Sequence, residues 1–128
     1  MDGVISFTAN GMGAQAASSR LQAAMAAMHQ YIPHTVAWHC HQPGEPIMVT
    51  LPPSLSAGEL ALRAERARLE VSVVDDPQAP DQRIALHYAH LPEAEITEGI
   101  RRLGHCLASY SELAARHAPG YPTMLLGT

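Results

Sequence analysis

The sequence predicts an α+β fold in which helices cover one face of a small, antiparallel-dominated sheet. Apolar residues recur at three- and four-residue steps in two segments, which is typical of amphipathic helices, and a capping-box pattern marks a third helix. Between them, shorter stretches alternate apolar and polar side chains, as strands do when one face is buried. The chain has 128 residues, 47% of them hydrophobic and 16% charged. This length and composition fit one packed domain.

The helix boundaries follow from local signals. The first helix begins at Ser19 and ends before Pro33, because the residue preceding a proline disfavours helix. Ser56 and Glu59 have the spacing of a capping box, in which the serine oxygen and the glutamate each satisfy a backbone N–H. A second helix is expected to follow. Pro92, at a first helical position, begins the long third helix.

The strands carry the polar side chains of interest. His39 and His41 share one face of the first strand, and Arg83 and His87 share one face of the last. The first two strands are expected to form an antiparallel hairpin, because a turn with Pro and Gly joins them. The predicted strands are residues 35–41, 47–51, 69–74 and 83–88.

The segments outside these elements set the expected domain boundaries. Residues 1–18 are expected to be a flexible N-terminal arm, since 10–19 are rich in Gly, Ala and Ser without apolar periodicity. Residues 119–128 are expected to be a C-terminal tail. Residues 19–118 are therefore predicted to form the single domain.

Charge and hydropathy exclude several partners. The net charge is −4, and the eight basic residues are all arginines without a basic stripe, so no nucleic-acid partner is expected. No apolar run approaches the roughly 20 residues that span a bilayer, so no membrane partner is expected. The first residues lack the features of a secretory signal, and a cytoplasmic location is expected. Cys40 and Cys106 lack metal-binding spacing and are interpreted as small hydrophobic residues.

Residues 83–104 read RIALHYAHLPEAEITEGIRRLG. This segment is similar to the "RLSFA…eeIeeGirrLa" ending of fold-type I (class I/II) pyridoxal-phosphate (PLP)-dependent aminotransferases. The predicted order of elements between Arg20 and Tyr110 also resembles the C-terminal small domain of that family. The aminotransferase-like domain of MocR-type regulators looks most similar. The resemblance implies the same small-domain fold for this chain.

The resemblance implies a role for Arg83. In the family, the arginine that opens this strand binds the α-carboxylate of the substrate, so Arg83 is expected to bind an amino-acid-like small carboxylate. A guanidinium suits this task, because it can pair with a carboxylate through two parallel hydrogen bonds. The alternative is a structural ion pair with Asp75, Asp76 or Asp81. The sequence leaves both open.

The sequence also departs from the family pattern. Residues 42–49 read QPGEPIMV where the family has "peGGmFvW", and residues 73–78 read VVDDPQ where it has "vvPGsxF". None of the chain's basic residues is a lysine, so no side chain can form a Schiff base with PLP. No covalent PLP is therefore expected, and the large domain of the family is expected to be absent. The chain is not predicted to be a transaminase by itself.

Eight histidines are the unusual surplus of the composition. His39 and His41 on one strand face can reach a single ion, and His87 and His90 lie at the end of another strand. We predict His39, His41 and His87 as acid–base groups, and these three with His90 as ligands of a divalent metal of unknown identity. The alternative is that these histidines face solvent on an exposed sheet face.

Three functions agree with these patterns. The first is a stand-alone, repurposed small domain that binds, and in one version converts, a small carboxylate through Arg83 with histidine or metal assistance. The second is a non-catalytic subunit that completes a truncated aminotransferase-like partner. The third is an inactive fragment. The uncovered sheet face predicts a homodimer or a partner protein. Whether the chain is an enzyme stays open.

Overall fold

The computed structural model describes residues 3–8, 17–40 and 42–116. It confirms the predicted α+β class: helices and a small, mainly antiparallel sheet enclose one apolar core. No helix among the described residues is long and apolar enough to cross a membrane. The helices are α1 (Ala17–Tyr31), α2 (Ala57–Arg66) and α3 (Glu93–Arg116), and the strands are β1 (Ile5–Ser6), β2 (Ala37–His39), β3 (Ile47–Thr50), β4 (Leu69–Glu70), β5 (Ser72–Val73) and β6 (Arg83–Leu86).

The main sheet has the strand order β2-β3-β6-β5, and all neighbouring strands are antiparallel. Ile47, Val49, Ile84 and Leu86 are fully buried and belong to the core that the helices also line. The residues between them point to the other side, because side chains alternate along a strand. The predicted hairpin is confirmed as the β2–β3 pair.

The N-terminal segment corrects one prediction. Residues 1–18 were expected to form a flexible arm, but Ile5 and Phe7 are 1% and 0% exposed. β1 pairs in parallel with β4, and the backbone N–H of His87 donates to the Phe7 carbonyl at 2.8 Å. A two-residue strand is too short to show periodicity, so no sequence pattern indicated it. The rest of the arm that precedes α1, residues 9–16, lies outside the described residues, as does the predicted tail.

The start of α2 confirms half of the predicted capping box. The Ser56 hydroxyl accepts a hydrogen bond from the Glu59 backbone N–H at 3.1 Å. The backbone N–H of Ser56 instead donates to the Tyr110 hydroxyl at 3.0 Å, and Glu59 pairs with Arg63. Asp81 accepts from the Ser56 hydroxyl at 2.5 Å, a bond that lowers the pKa of this carboxyl. A distant tyrosine has therefore replaced the expected glutamate contact.

Candidate carboxylate-binding site

Two of the predicted site residues, His39 and Arg83, lie on the sheet face opposite the buried strand residues, which we call the outer face. Thr50 lies opposite both Ala37 and Arg83, so these three form one row across the sheet. His39 lies on the same face, in the next row. The outer face is formed by Ala37, His39, Met48, Thr50, Ser72, Arg83 and Ala85.

Arg83 is the first residue of β6, and its side chain is 39% exposed. Its Nη1 donates to Asp76 Oδ2 at 2.8 Å. The Nε atom is buried and has no hydrogen-bond partner among the described residues. The other Asp76 oxygen accepts from the Gln78 backbone N–H at 2.9 Å, which fixes the acidic side chain within its loop. The ion-pair alternative is therefore present, with Asp76 as the partner.

The histidines occupy different environments. His39 is exposed, at the end of β2. His87 is partly buried just after β6, and this burial, with a smaller contribution from the charge of His90, lowers its pKa. His90 donates from Nε2 to the Ser6 carbonyl at 2.8 Å, while its Nδ1 is buried without a partner among the described residues. His41 lies outside the described residues.

No family model matches this sequence, and no curated protein matches it. Solved structures match over about three quarters of the chain. α-Aminoadipate aminotransferase LysN from Thermus thermophilus is 28% identical over 74% of this chain and 25% of its own, with a TM-score of 0.70. A multiple substrate aminotransferase from Thermococcus profundus is 24% identical over 74% and 24%, with a TM-score of 0.67. The kynurenine aminotransferase from Pyrococcus horikoshii is 24% identical over 72% and 24%, with a TM-score of 0.62.

The fold is that of an aminotransferase small domain. These neighbours support the family-level resemblance that residues 83–104 indicated, while the closer likeness to MocR-type regulators stays a prediction. The chain spans about a quarter of the length of the solved structures that it matches. The match therefore shows a fold and does not show the activity of a complete aminotransferase.

The small domain does not by itself fit covalently bound PLP. A Schiff base needs a lysine amine, and the chain has no lysine. Arg83 opens the strand at the position where the resemblance expects an α-carboxylate to bind. What this domain presents there is a partly exposed guanidinium, which is a charged hydrogen-bond donor.

The predicted metal ligands are only partly brought together. β3 separates His39 on β2 from the end of β6, and two strand spacings amount to about 10 Å. His87 and His90 are close enough for the charge of His90 to affect the pKa of His87. Within residues 3–8, 17–40 and 42–116, no three His, Cys, Asp or Glu side chains form a group that could hold a metal. Because His41 is not among them, the four-histidine site stays a prediction.

The sequence could not rank the acidic candidates beside Arg83. Asp75 is exposed, and Asp81 is engaged at the start of α2. Asp76 accepts from the arginine through one oxygen and from the Gln78 backbone N–H through the other. A signal was present in the Asp-Pro turn, which favours side chain–backbone bonds. It does not say which distant cation such a side chain meets.

The partly buried imidazole of His87 should make stability depend on pH. Its folded pKa lies below the usual 6.5, so the unfolded chain binds more protons between these two values. The contribution of neutral His87 is fully present above pH 6.5 and is lost as pH falls through the lowered folded pKa. We expect His87→Gln to flatten the pH dependence of unfolding in urea between about pH 5 and 7.5. Exposed His105→Gln is the matched control, and parallel curves for His87→Gln and the wild type would contradict the assignment.

Proposed function

We propose that this aminotransferase-like small domain is a repurposed unit that binds an amino-acid-like small carboxylate through Arg83. It does not act as a PLP transaminase by itself. The position of Arg83 carries the proposal: the residue opens β6 on the outer face, with 39% of its side chain exposed. An exposed guanidinium on a rigid strand can offer a carboxylate directional, charge-assisted hydrogen bonds.

Asp76 sets a condition on this binding. It already accepts from Nη1 of Arg83, so a ligand has to share the guanidinium with Asp76 or displace it. The negative charge of Asp76 also repels a second carboxylate. Ligand affinity should therefore be weaker than at an arginine without an acidic neighbour.

We expect Arg83→Lys to weaken carboxylate binding nearly as much as Arg83→Ala. An ammonium is a point charge and cannot reproduce two parallel N–H donors in one plane. Because Arg83 is partly exposed, the loss should be about 1–2 kcal/mol, or roughly 5- to 30-fold in affinity. Asp76→Asn should strengthen binding, since it removes the competing charge. Titration calorimetry with L-leucine and L-2-aminoadipate, ligands suggested by the name and bound compound of the Thermus structure, measures these effects.

The exposed ion pair of Arg116 and Glu112 provides a control, and Arg116→Ala should leave affinity unchanged. Urea unfolding of the same variants separates lost binding from lost folding. Equal affinity in the wild type, Arg83→Lys and Arg83→Ala would assign Arg83 to a structural ion pair with Asp76 alone.

Histidine assistance forms the second part of the proposal. His39 shares the outer face with Arg83, which supports a role as an acid or base near a bound carboxylate. His41, His87 and His90 are proposed to join it around a divalent metal, and for this the side chains must span the width of β3. Metal analysis of the purified chain tests this part independently of Arg83.

A second candidate function is a non-catalytic subunit that completes an aminotransferase-like partner or a homodimer. It is favoured by one observation: the matched structures are about four times longer than the region they share with this chain. Sedimentation at increasing protein concentration measures self-association through the outer face. Co-purification with a lysine-bearing partner, lost in Arg83→Ala, would favour the subunit over a ligand-binding domain.

A further inference from the structure

A second group of cationic and polar side chains lines a groove between α2 and α3. The groove encloses about 250 Å³ and shares no residue with the candidate site at Arg83. We call it the α2–α3 groove. Its walls are formed by Arg63, Arg66, His105, Cys106 and Ser109.

The charges of the α2–α3 groove all have one sign. In the described part of the chain, the charged residues that line it are Arg63 and Arg66, and the carboxylate of Glu59 pairs with Arg63 beside the groove. His105 and Ser109, one turn apart on α3, add an imidazole N–H and a hydroxyl donor. Burial raises the pKa of the Cys106 thiol, so it adds no negative charge near neutral pH. The whole chain has a net charge of −4, so this groove, with its two arginines, is positively charged on a negatively charged protein.

Arg63 is held in place before any ligand arrives. Its guanidinium carbon lies 4.7 Å from the centre of the Tyr110 ring, and its Nε lies 3.0 Å from a Glu59 oxygen. The side chain is only 28% exposed. A cation that is already ordered loses less conformational entropy when it binds an anion. Glu59 offsets part of its charge, so exposed Arg66 supplies the larger share of the attraction.

The positions of these arginines have a partial structural explanation. Arg63 and Arg66 lie in the last turn of α2, where basic side chains interact favourably with the helix dipole. That effect does not require His105 and Ser109 of a different helix to line the same groove. Donors that approach from two helices match the several directions in which a tetrahedral oxyanion accepts hydrogen bonds.

We propose that the α2–α3 groove binds a phosphate group, either as inorganic phosphate or as a small phosphomonoester. The groove is open to solvent, so the organic part of a phosphomonoester can extend outward while the phosphate contacts the arginines. This site is independent of carboxylate binding at Arg83.

The test is a titration of the isotope-labelled full chain, followed by ¹H–¹⁵N NMR at constant ionic strength. Inorganic phosphate and glycerol 3-phosphate are the two probes, and sodium chloride is the ionic control. We expect saturable shifts at the amides of Arg66 and Ser109 with phosphate. Arg66→Gln should weaken binding by about tenfold, because it removes a charge-assisted contact from an exposed site.

Arg116, an exposed arginine at the end of α3, gives a matched control, and Arg116→Gln should leave the affinity unchanged. His105→Ala should weaken phosphate binding and leave carboxylate binding at Arg83 unaffected. Tighter binding of glycerol 3-phosphate than of inorganic phosphate would identify a phosphomonoester as the ligand, and the reverse order would identify free phosphate. Shifts that do not saturate, that chloride reproduces, or that Arg66→Gln and Arg116→Gln reduce equally would overturn the proposal.

Discussion

Gly104→Ala should destabilise the chain by about 2–3 kcal/mol, at the upper end of the cost of overpacking. A Cβ at this position would collide with the backbone carbonyl oxygen of Tyr31 and lie 3.1 Å from the Tyr31 Cβ. Tyr31 is the last residue of α1, so the obstacle is backbone and cannot rotate away. The higher helix propensity of alanine, worth about 1 kcal/mol, should offset only part of the loss.

Urea unfolding followed by circular dichroism measures this effect. Gly99→Ala is the informative comparison, because its added Cβ would lie 2.6 Å from the Phe7 ring, a side chain that can shift. We expect a smaller loss there, about 1–2 kcal/mol. Thr97→Ala, at an exposed position of α3, should be close to neutral. A Gly104→Ala variant as stable as the wild type would mean that α1 and α3 do not pack in close backbone contact at Tyr31.

Arg102→Ala should cost about 2–3 kcal/mol, because it removes a nearly buried cation that joins three parts of the chain. Its side chain is 10% exposed and donates to Glu98 at 2.8 Å. It also donates to the carbonyls of Gly3 and Arg68, at 3.2 and 3.1 Å. Arg102 thereby ties α3 to the segments before β1 and β4. Arg102→Lys should restore little of the lost stability, because one ammonium group cannot replace the several N–H donors of the guanidinium.

Arg101 offers a matched control, since it also pairs with Glu98 but is 43% exposed. Arg101→Ala should therefore cost clearly less than Arg102→Ala.

Hydrogen bonds from Arg101 and Arg102 lower the pKa of Glu98 from 4.5 to about 2. The contribution of ionised Glu98 is present above pH 4.5 and is lost as pH falls through about 2, so the cost of Arg102→Ala should shrink in acid. A larger loss for Arg101→Ala than for Arg102→Ala would refute this assignment.

Periodicity alone predicted much of the fold. α1, α3 and the alternation of β2, β3 and β6 follow from repeats of about 3.6 and 2 residues, and α2 follows from its capping serine, all of which depend only on local sequence. The same alternation placed Arg83 on one strand face, and the resemblance of residues 83–104 pointed to a carboxylate as its ligand. The EGIRR part of that segment, residues 98–102, has a structural role. Gly99 packs against Phe7, and Arg102 donates to the Gly3 carbonyl, so both hold α3 against the N-terminal strand.

Tertiary structure decided which distant groups meet. Phe7, which was expected in a flexible arm, lies in the core. Asp76, one of three acidic candidates, pairs with Arg83. The Ser56 N–H donates to Tyr110 and not to Glu59. Tertiary structure also placed Arg66 and His105 around one groove. Each of these contacts joins residues far apart in the chain or depends on one rotamer. Local propensity and residue spacing do not encode such contacts. The contacts form only when whole elements pack together and the buried polar groups must find hydrogen-bond partners.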